Sequence, residues 1–400
     1  MIRATGRSVA ASAVTVTTVG VLPVYLVGVL SVQVRADLGF GPAALGLLAA
    51  AFFSTSAVTS FLAGPVTRRA GSPAVVRGAA TASSLSMLLI ATVARDLPAL
   101  GAALVLGGIA NGLGQPASNA LIATAVSERR QGLAFGAKQA SIPMSTMLGG
   151  LAVPLIAIPL GWRWAFAVAA GLAALAATSV PSAATPQGAT PRAPTVAAGP
   201  FRRGPLLVLS SGLMLAAASG NALGAFFVAS TVSSGVAPGT AGLLAALASL
   251  GGVAARVLLG WLADRASARW LLVVALQMAV GSMGYALLAS GRPVLMAAGG
   301  LVAYCSGWAW AGLATYAVAR MHHGMTARAT GYTQAGLGFG SAIGPLAFGA
   351  TVVATSYRTA WLATAVVSLV AAAVVVLGRS LLMQDRPALV EAHRARRAPA

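Results

Sequence analysis

Lys138 combines a residue type and a position that are rare in so apolar a chain. It is the only lysine among 26 basic residues, and it lies beside Gln139 in the stretch Gly136-Ala-Lys-Gln-Ala-Ser-Ile-Pro143. An ammonium inside a membrane-spanning helix costs about 2.5–3.5 kcal/mol unless it finds a partner or the surface. Two interpretations stay open: Lys138 faces a central cavity and binds a negative group on a small molecule, or it extends to the cytoplasmic surface.

Neutral polar and aromatic residues supply further candidates for binding a small molecule. Asn111, Gln115 and Asn119 have i, i+4, i+8 spacing, so they share one helix face, and a polar face in lipid should turn inward. For any one residue, hydrogen bonding between helices or packing in the core is the simpler explanation. The whole candidate set is Tyr25, Asn111, Gln115, Asn119, Lys138, Gln139, Asn221, Tyr304, Trp308, Trp310 and Gln334.

Acidic residues, histidines and cysteine form no pattern typical of catalysis or metal binding. The six acids each fall in a predicted loop, helix edge or tail: Asp37, Asp96, Glu128, Asp264, Asp385 and Glu391. The three histidines also lie outside the predicted helical core, and a single cysteine excludes an internal disulfide or a CxxC site. No GxxxxGK[ST] segment occurs. We therefore expect no enzyme activity, no metal, no cofactor and no ATP-driven pumping.

Composition indicates that membrane-spanning helices position these residues. Hydrophobic residues make up 58% of the 400 and charged residues 8%, with a mean hydropathy of +0.85, whereas globular chains are about 25% charged. The long apolar runs do not fit barrel strands, which alternate. The chain is therefore predicted to be an all-α integral membrane protein. Twelve runs are long enough for a spanning helix: 9–32, 43–66, 73–94, 98–126, 132–158, 163–181, 205–231, 240–263, 269–290, 293–320, 329–353 and 359–383.

The distribution of basic residues predicts the topology. With the first residue in the cytoplasm, 19 of the 26 fall in cytoplasmic segments, 5 fall in the opposite loops, and Lys138 and Arg256 fall inside helices. This positive-inside asymmetry predicts a multi-pass protein of the cytoplasmic (inner) membrane with both termini in the cytoplasm. The net charge of +20 then reflects topology, so the expected partner is the lipid bilayer and not nucleic acid.

An internal repeat divides the chain into two halves of equal length. Four residues of the first half recur 195 positions later as the same residue type: Gly136 as Gly331, Gln139 as Gln334, Gly149 as Gly344 and Arg163 as Arg358. An offset of 196 carries Pro42, Gly46 and Gly64 onto Pro238, Gly242 and Gly260. The repeat predicts two pseudo-symmetric six-helix bundles at 1–181 and 205–383, a proline-rich cytoplasmic linker at 182–204 and a basic cytoplasmic tail at 384–400.

Twelve helices in two six-helix repeats with a basic central loop resemble the major facilitator superfamily of secondary transporters. The segment Gly260-Trp-Leu-Ala-Asp264-Arg265-Ala-Ser-Ala-Arg269 is similar to the family's loop motif G-x-L-A-D-R-x-G-x-R, with Ser267 in place of the second glycine. The resemblance implies that helices 1, 4, 7 and 10 line a cavity and that 2, 5, 8 and 11 flank it. It also implies a gate formed by Arg256, Gly260, Asp264, Arg265 and Arg269.

Simpler explanations remain for the gate residues. Asp264 also fits an ordinary topology anchor at a helix end, and Arg256 also fits a side chain that reaches the lipid headgroups. In the first half Arg68 occupies the position of the acid. That half is therefore not expected to form the same acidic contact, and a symmetric charged gate is not predicted.

The expected function is secondary transport of a small organic solute, anionic or polar neutral, by alternating access between the halves. We expect a monomer, with a small-molecule substrate and a coupling ion as candidate partners. The alternative is an efflux pump for a hydrophobic drug or secondary metabolite, which would work without an obvious intramembrane acid. A channel is also compatible with the repeat. The sequence leaves the substrate, the direction and the coupling ion open.

Overall fold

The structure, a computed structural model, describes residues 6–126, 130–180, 203–266, 268–322 and 326–384. These residues are helical, with short turns and no strand. Nearly all of the predicted linker at 182–204 lies outside the described residues, and so does the tail at 384–400 apart from its first residue.

Twelve helical segments follow one another, and a short helix, Ser31–Leu38, extends the first. They are α1 (Gly6–Val29), α2 (Pro42–Ala70), α3 (Ser72–Thr92), α4 (Leu97–Ala125), α5 (Gln131–Gln139, Ser141–Ala152, Val153–Ala157 and Ile158–Leu160), α6 (Trp162–Ser179), α7 (Arg203–Ser233), α8 (Pro238–Arg265), α9 (Trp270–Leu288), α10 (Pro293–Val302, Ala303–Gly307 and Ala311–Met321), α11 (Thr326–Ala354) and α12 (Tyr357–Gln384). The prediction of an all-α membrane protein with twelve spans is confirmed.

Length and composition qualify eleven of these segments, within the described residues, as able to cross a membrane. The remaining one, α6, has 18 residues and begins with Trp162, Arg163 and Trp164. At a rise of 1.5 Å per residue it is about 27 Å long, close to the thickness of the hydrocarbon core. Its polar start lowers its hydropathy, but its length still allows it to span.

Local sequence explains where several helices begin. Proline occupies the first turn of α2, α8 and α10, where its missing N–H leaves no hydrogen bond unmade. Asp96 caps α4, because its carboxylate accepts a 2.8 Å hydrogen bond from the amide of Ala99. These signals fix the helix starts, while the apolar runs between them fix the lengths.

The outer surface of the bundle is apolar, and the polar side chains turn inward. Large hydrophobic side chains such as Phe61, Leu175 and Leu247 are more than half exposed. An apolar surface of this extent is stable only against lipid. The bundle therefore presents its hydrophobic face to the bilayer.

Two segments that were predicted as continuous helices are interrupted. In α5 a turn at Ala140 precedes Ser141, and a π-helical turn at Val153–Ala157 contains Pro154. In α10 a π-helical turn at Ala303–Gly307 leads into a non-helical turn before Ala311. Proline supplies no N–H, which accounts for the break in α5, and π-turns of this kind are frequent at functional sites.

Opposite the chain termini, equivalent positions of the two repeats join the halves. A Cβ atom on Gly242 of α8 would lie 2.7 Å from the Gly150 carbonyl oxygen of α5. A Cβ atom on Gly46 of α2 would lie 3.1 Å from Leu346 Cα, beside Pro345 in α11. The repeat offset carries Gly46 onto Gly242 and Gly150 onto Pro345. The two contacts are therefore counterparts, and both need a residue without a side chain.

At the other end of the bundle, where α1 begins and α12 ends, the equivalent contacts differ. We call this end the terminal end. Here α5 and α8 touch, because a Cβ atom on Gly136 would lie 3.0 Å from Gly260 Cα. The counterpart glycines in α11 and α2 have no such neighbour: Gly331 faces open space within 4 Å, and Gly64 meets only Arg68 of its own helix. The repeat is thus asymmetric at this end.

Candidate functional site

Two basic side chains, Lys138 of α5 and Arg256 of α8, are buried inside the bundle. Each is 2% exposed. Neither forms an ion pair with a described carboxylate, and their hydrogen-bond partners are neutral oxygen atoms. A buried charge is costly unless it is compensated. These two cations therefore define the part of the structure where an anion would be most stabilised.

Lys138 points at the polar face of α4. Its Nζ donates to Asn119 Oδ1 at 2.6 Å, to Gln115 Oε1 at 2.7 Å and to the Gln115 carbonyl at 3.1 Å. An ammonium has three N–H donors, so all three are used. The inward-facing stripe predicted on α4 is therefore a set of ligands for Lys138, although the positive charge itself stays uncompensated.

The same polar face continues towards α2. Gln115 Nε2 donates to Asn111 Oδ1 at 3.4 Å, and Asn111 Nδ2 donates to Ser56 Oγ at 2.7 Å. The connected side chains run from α5 through α4 to α2 within the first half. Ser56 did not stand out in the sequence, because one serine in an apolar helix has no spacing that distinguishes it.

Arg256 bridges the two halves through backbone carbonyls that local sequence leaves without a helical partner. Its Nη1 donates to the Gln139 carbonyl of α5 at 3.0 Å, and its Nη2 donates to the Trp308 carbonyl of α10. Four residues after Gln139 stands Pro143, which has no N–H to offer. Trp308 lies in the turn that interrupts α10. The interruptions thus create the acceptors for the buried guanidinium.

An aromatic cluster fills the interface of the halves beside Arg256. The Tyr25 hydroxyl of α1 donates to Asn221 Oδ1 of α7 at 2.7 Å, and these two residues occupy equivalent positions of the repeat. The Trp308 ring lies 5.5 Å from the rings of Tyr25 and Tyr304, and Arg256 Cζ lies 5.5 Å from its centroid. The fold therefore places four of the candidate residues in contact with one another: Tyr25, Asn221, Tyr304 and Trp308.

Several polar groups in this region are buried without a partner. Arg256 Nε, the Tyr285 hydroxyl and the Tyr304 hydroxyl have no hydrogen bond in the described structure. The Tyr285 hydroxyl lies against Gly307, in the π-helical turn of α10, where a Cβ atom would be 2.8 Å from it. The Tyr304 hydroxyl approaches the Thr146–Ser249 hydrogen bond, 2.7 Å long, that links α5 to α8. Buried donors normally have a hydrogen-bond acceptor. A bound anionic ligand would supply the missing acceptor.

Two other candidates lie elsewhere. Trp310 is buried in the core of the second half, and its Nε1 donates to the Gly307 carbonyl at 2.9 Å. Gln334 is exposed and forms no described contact with the cluster. Tyr285, whose ring stacks on Trp361, is not among the candidates, because one tyrosine in an apolar helix carries no distinguishing pattern.

The motif at the end of α8 also joins the halves. Asp264 accepts hydrogen bonds of 2.8 Å from the amides of Gly132 and Leu133, one on each carboxylate oxygen. These amides belong to the first turn of α5, where backbone N–H groups lack helical partners and the helix dipole favours a negative charge. We call this contact the Asp264 cap. Arg265 stacks on Trp261 at 4.1 Å, and neither it nor Arg269 pairs with Asp264.

A separate ion pair lies at the end opposite the termini. Arg163 Nη1 lies 2.6 Å from Asp37 Oδ2, where α6 meets the short helix after α1. The hydrogen bond from Arg163 holds the pKa of the Asp37 carboxyl below its usual value. This pair stays within the first half and does not join the halves.

Comparison with known proteins identifies the family. The sequence profile of the major facilitator superfamily matches residues 9–233 and again 208–399. The chain belongs to this superfamily, whose fold supports secondary transport by alternating access. It is a multi-pass membrane transporter and not an enzyme.

Two solved structures are similar over nearly the whole chain. One is a bacterial homolog to the human lysosomal transporter Spinster in an inward-facing and occupied conformation, with 17% identity, a TM-score of 0.74, and coverage of 96% of this chain and 99% of that chain. The other is the inward-facing and unoccupied conformation, with 18% identity, a TM-score of 0.73, and coverage of 95% and 98%. At this identity the likeness establishes the fold. No match was found among curated proteins.

Proposed function

We propose that this transporter moves a small organic anion across the cytoplasmic membrane, with both termini in the cytoplasm. The observation that carries the proposal is the pair of buried cations, Lys138 and Arg256, whose hydrogen-bond partners are all neutral. They lie on neighbouring helices, and the Gln139 carbonyl that accepts from Arg256 follows Lys138 directly. A single anionic solute at the interface of the halves would compensate both charges.

The residues beside Arg256 suit the organic part of such a solute. Tyr25 and Asn221 present polar groups from opposite halves, and Trp308 presents an aromatic face next to the guanidinium. A ligand bound here would contact both halves at once. Its binding would therefore respond to their relative movement, as alternating access requires.

The positions of the acids support anion transport over cation capture. The acidic residues of the described chain, Asp37, Asp96 and Asp264, lie at the ends of helices. A transporter that captures cations usually uses a carboxylate buried within a span. In the described spans the buried charges are positive, so the solute is expected to be negative.

For the conformational cycle, the Asp264 cap is proposed as one of the contacts that closes the terminal end. It joins Asp264 of α8 to the first turn of α5, and the close approach of Gly260 to Gly132 lies beside it. Arg68 stands in the equivalent position of the first half. Among the described residues the proposed gate is therefore asymmetric, with its charged contact between α5 and α8, and it operates within a monomer.

The test is a binding screen on the purified protein. A ligand that binds the native state raises the melting temperature by mass action, so anionic, neutral and cationic solutes of similar size are compared. Anions are expected to stabilise the protein. Arg256→Met should abolish that shift, because removing one partner of a buried charge pair costs about 3–5 kcal/mol, or at least about 100-fold in affinity.

Matched variants separate binding from folding. Lys138→Met should weaken anion binding while leaving the aromatic cluster intact, and Arg256→Lys keeps the charge but loses the two-carbonyl bridge. Arg292→Gln removes an exposed charge at the opposite end and should change nothing. If anions bind Arg256→Met and Lys138→Met as tightly as the unaltered protein, anion transport at this site is refuted.

Efflux of a hydrophobic drug or secondary metabolite is the second candidate, favoured by the buried aromatic rings of Tyr25, Phe53, Tyr304 and Trp308. The two candidates predict different results in accumulation assays. Cells that contain the protein would retain less of a hydrophobic dye if it is an efflux pump. An anion transporter would leave dye retention unchanged and would respond to substitution of Arg256.

A further inference from the structure

A cavity at the terminal end of the second half is lined by four arginines. Its volume is about 730 Å³, and it lies among the ends of α8, α10 and α12 and the start of α9. The arginines are Arg265, Arg269, Arg320 and Arg379. We propose that this cavity binds a phosphate group, and that the phosphate belongs to the headgroup of an anionic phospholipid.

The cavity is separate from the candidate solute site. Asp264, at its edge, follows Arg256 by eight residues, which corresponds to about 12 Å along α8. Its arginines come from the second half alone, whereas the solute site lies between the halves. The proposal therefore stands independently of which solute is transported.

Among the described residues, a single carboxylate faces the positive charge of the cavity. The acid in its lining is Asp264, and both oxygens of that carboxylate already accept from α5. The side chains of Arg269 and Arg379 form no ion pair or hydrogen bond with the described residues. Four arginines thus face one carboxylate, and the oxygens of that carboxylate already accept hydrogen bonds from α5.

The other two arginines, Arg265 and Arg320, lie over aromatic rings, and this contact leaves their N–H groups free to donate hydrogen bonds. Arg265 Cζ lies 4.1 Å from the centre of the Trp261 ring, and Arg320 Cζ lies 5.9 Å from that of Tyr316. A guanidinium that rests on a ring keeps its N–H groups in its own plane, where they can grip a phosphate in a bidentate manner. The Tyr316 hydroxyl in turn donates to the Ala263 carbonyl at 2.9 Å, which fixes that ring.

Size and lining favour a lipid headgroup over a free ion. A water molecule occupies about 30 Å³, so a cavity of about 730 Å³ has room for much more than a phosphate ion. Its wall also includes the apolar side chains Leu271, Met321 and Met383, and Trp270 at the start of α9. Tryptophan is enriched at the membrane interface, and basic pockets between spanning helices on the cytoplasmic side bind anionic headgroups. Together these features fit an amphiphile with a phosphate at its polar end.

The experiment measures lipid binding to the purified full-length protein by native mass spectrometry and by thermal shift. Phosphatidylglycerol, phosphatidylcholine and inorganic phosphate are added separately. Phosphatidylglycerol is expected to bind and stabilise the protein more than phosphatidylcholine does. In the double variant Arg320→Gln and Arg379→Gln its binding should be about 30-fold weaker, which corresponds to about 2 kcal/mol for two arginines near the membrane surface.

A matched control removes the same charge elsewhere. Arg95→Gln with Arg292→Gln alters two exposed arginines at the end opposite the termini, and it should leave phosphatidylglycerol binding unchanged. Should the glutamine variant fail to fold, Arg320→Lys with Arg379→Lys keeps the charge while losing the planar fork, and an intermediate loss is expected.

Three outcomes are decisive. Selective loss of phosphatidylglycerol binding in the cavity variant supports the headgroup site. Displacement of the lipid by millimolar inorganic phosphate, with the same loss in the variant, supports the phosphate chemistry but assigns it to a soluble phosphorylated compound. Equal binding in the cavity variant and the control variant overturns the proposal.

Discussion

Replacing Asp264 with alanine removes the cap that joins α8 to the first turn of α5. The carboxylate accepts two hydrogen bonds of 2.8 Å, from the amides of Gly132 and Leu133. A hydrogen bond to a charged group contributes about 1.5–3 kcal/mol, and loss of a helix cap typically costs about 1 kcal/mol. Asp264 is half-buried, so water replaces part of the loss, and a net shift of about 2 kcal/mol is expected.

That shift corresponds to about a 30-fold change in the equilibrium between the capped and uncapped arrangements. Hydrogen exchange resolved by mass spectrometry should show faster exchange in the α5 peptide that contains Gly132 and Leu133. Spin labels on the terminal ends of α5 and α8 should report a larger separation. Asp264→Asn keeps one acceptor and should give about half the effect in free energy.

Asp96→Ala is the control, because Asp96 caps α4 from within one half. It should change exchange at the start of α4 and leave the start of α5 unaffected. Unchanged exchange and unchanged label distances in Asp264→Ala would refute the idea that this carboxylate holds the halves together.

Three further predictions concern other parts of the bundle. Arg163 lowers the pKa of Asp37 in the folded state. The pair therefore stabilises the fold above the ordinary aspartate pKa of about 4 and loses that effect as the pH falls through the lower, folded pKa. The melting temperature of Asp37→Asn should accordingly fall less steeply with acid than that of the unaltered protein. Gly220→Ala would place a Cβ atom 2.6 Å from Trp308 Nε1, and overpacking of about 1–3 kcal/mol should lower the melting temperature despite the better helix propensity of alanine. Pro143→Ala supplies an N–H four residues after the carbonyl that accepts from the buried guanidinium, so it should weaken anion binding in the thermal-shift assay.

Each of these has a matched comparison. For the acid response the comparison is Asp96→Asn, because the Asp96 carboxylate forms no ion pair. If the melting temperature of Asp96→Asn depends on pH in the same way as that of Asp37→Asn, the role of the ion pair is contradicted. Gly171→Ala meets nothing within 4 Å, so Gly220→Ala must be the less stable of the two. Pro154→Ala alters another proline of α5, in the π-helical turn, and an equal loss of anion binding there would remove the specific claim for Pro143.

The helices and their order could be predicted from sequence because spanning lipid imposes a strong local requirement. Each apolar run had to be about as long as the hydrocarbon core is thick, and prolines such as Pro42 and Pro238 mark the starts. The duplication was visible for the same reason: glycines at close helix contacts, such as Gly46 and Gly242, recur at a fixed offset. The apolar runs did not reveal the π-turns in α5 and α10.

The candidate site was only partly predictable, because hydrogen-bond partners depend on distances between helices. The spacing of Asn111, Gln115 and Asn119 indicated a polar face, but not that Gln115 and Asn119 hold Lys138. Arg256 was considered as a gate residue or a surface side chain, and its bridge between two backbone carbonyls follows from breaks in separate helices. Spacing along one helix cannot reveal such a contact.

The sequence by itself determined the solvent, the number of spans and the duplicated plan, since each depends on the composition of single segments or on repetition along the chain. Only the tertiary structure decided which charges are buried together and where the two halves differ. Arg68 in place of the acid indicated that the repeats are unequal. Contacts between helices from different halves decided that α5 and α8 close at the terminal end, where Gly64 of α2 and Gly331 of α11 have no neighbour from the other half. Those contacts join residues more than a hundred positions apart, and their geometry exists only once the helices have packed.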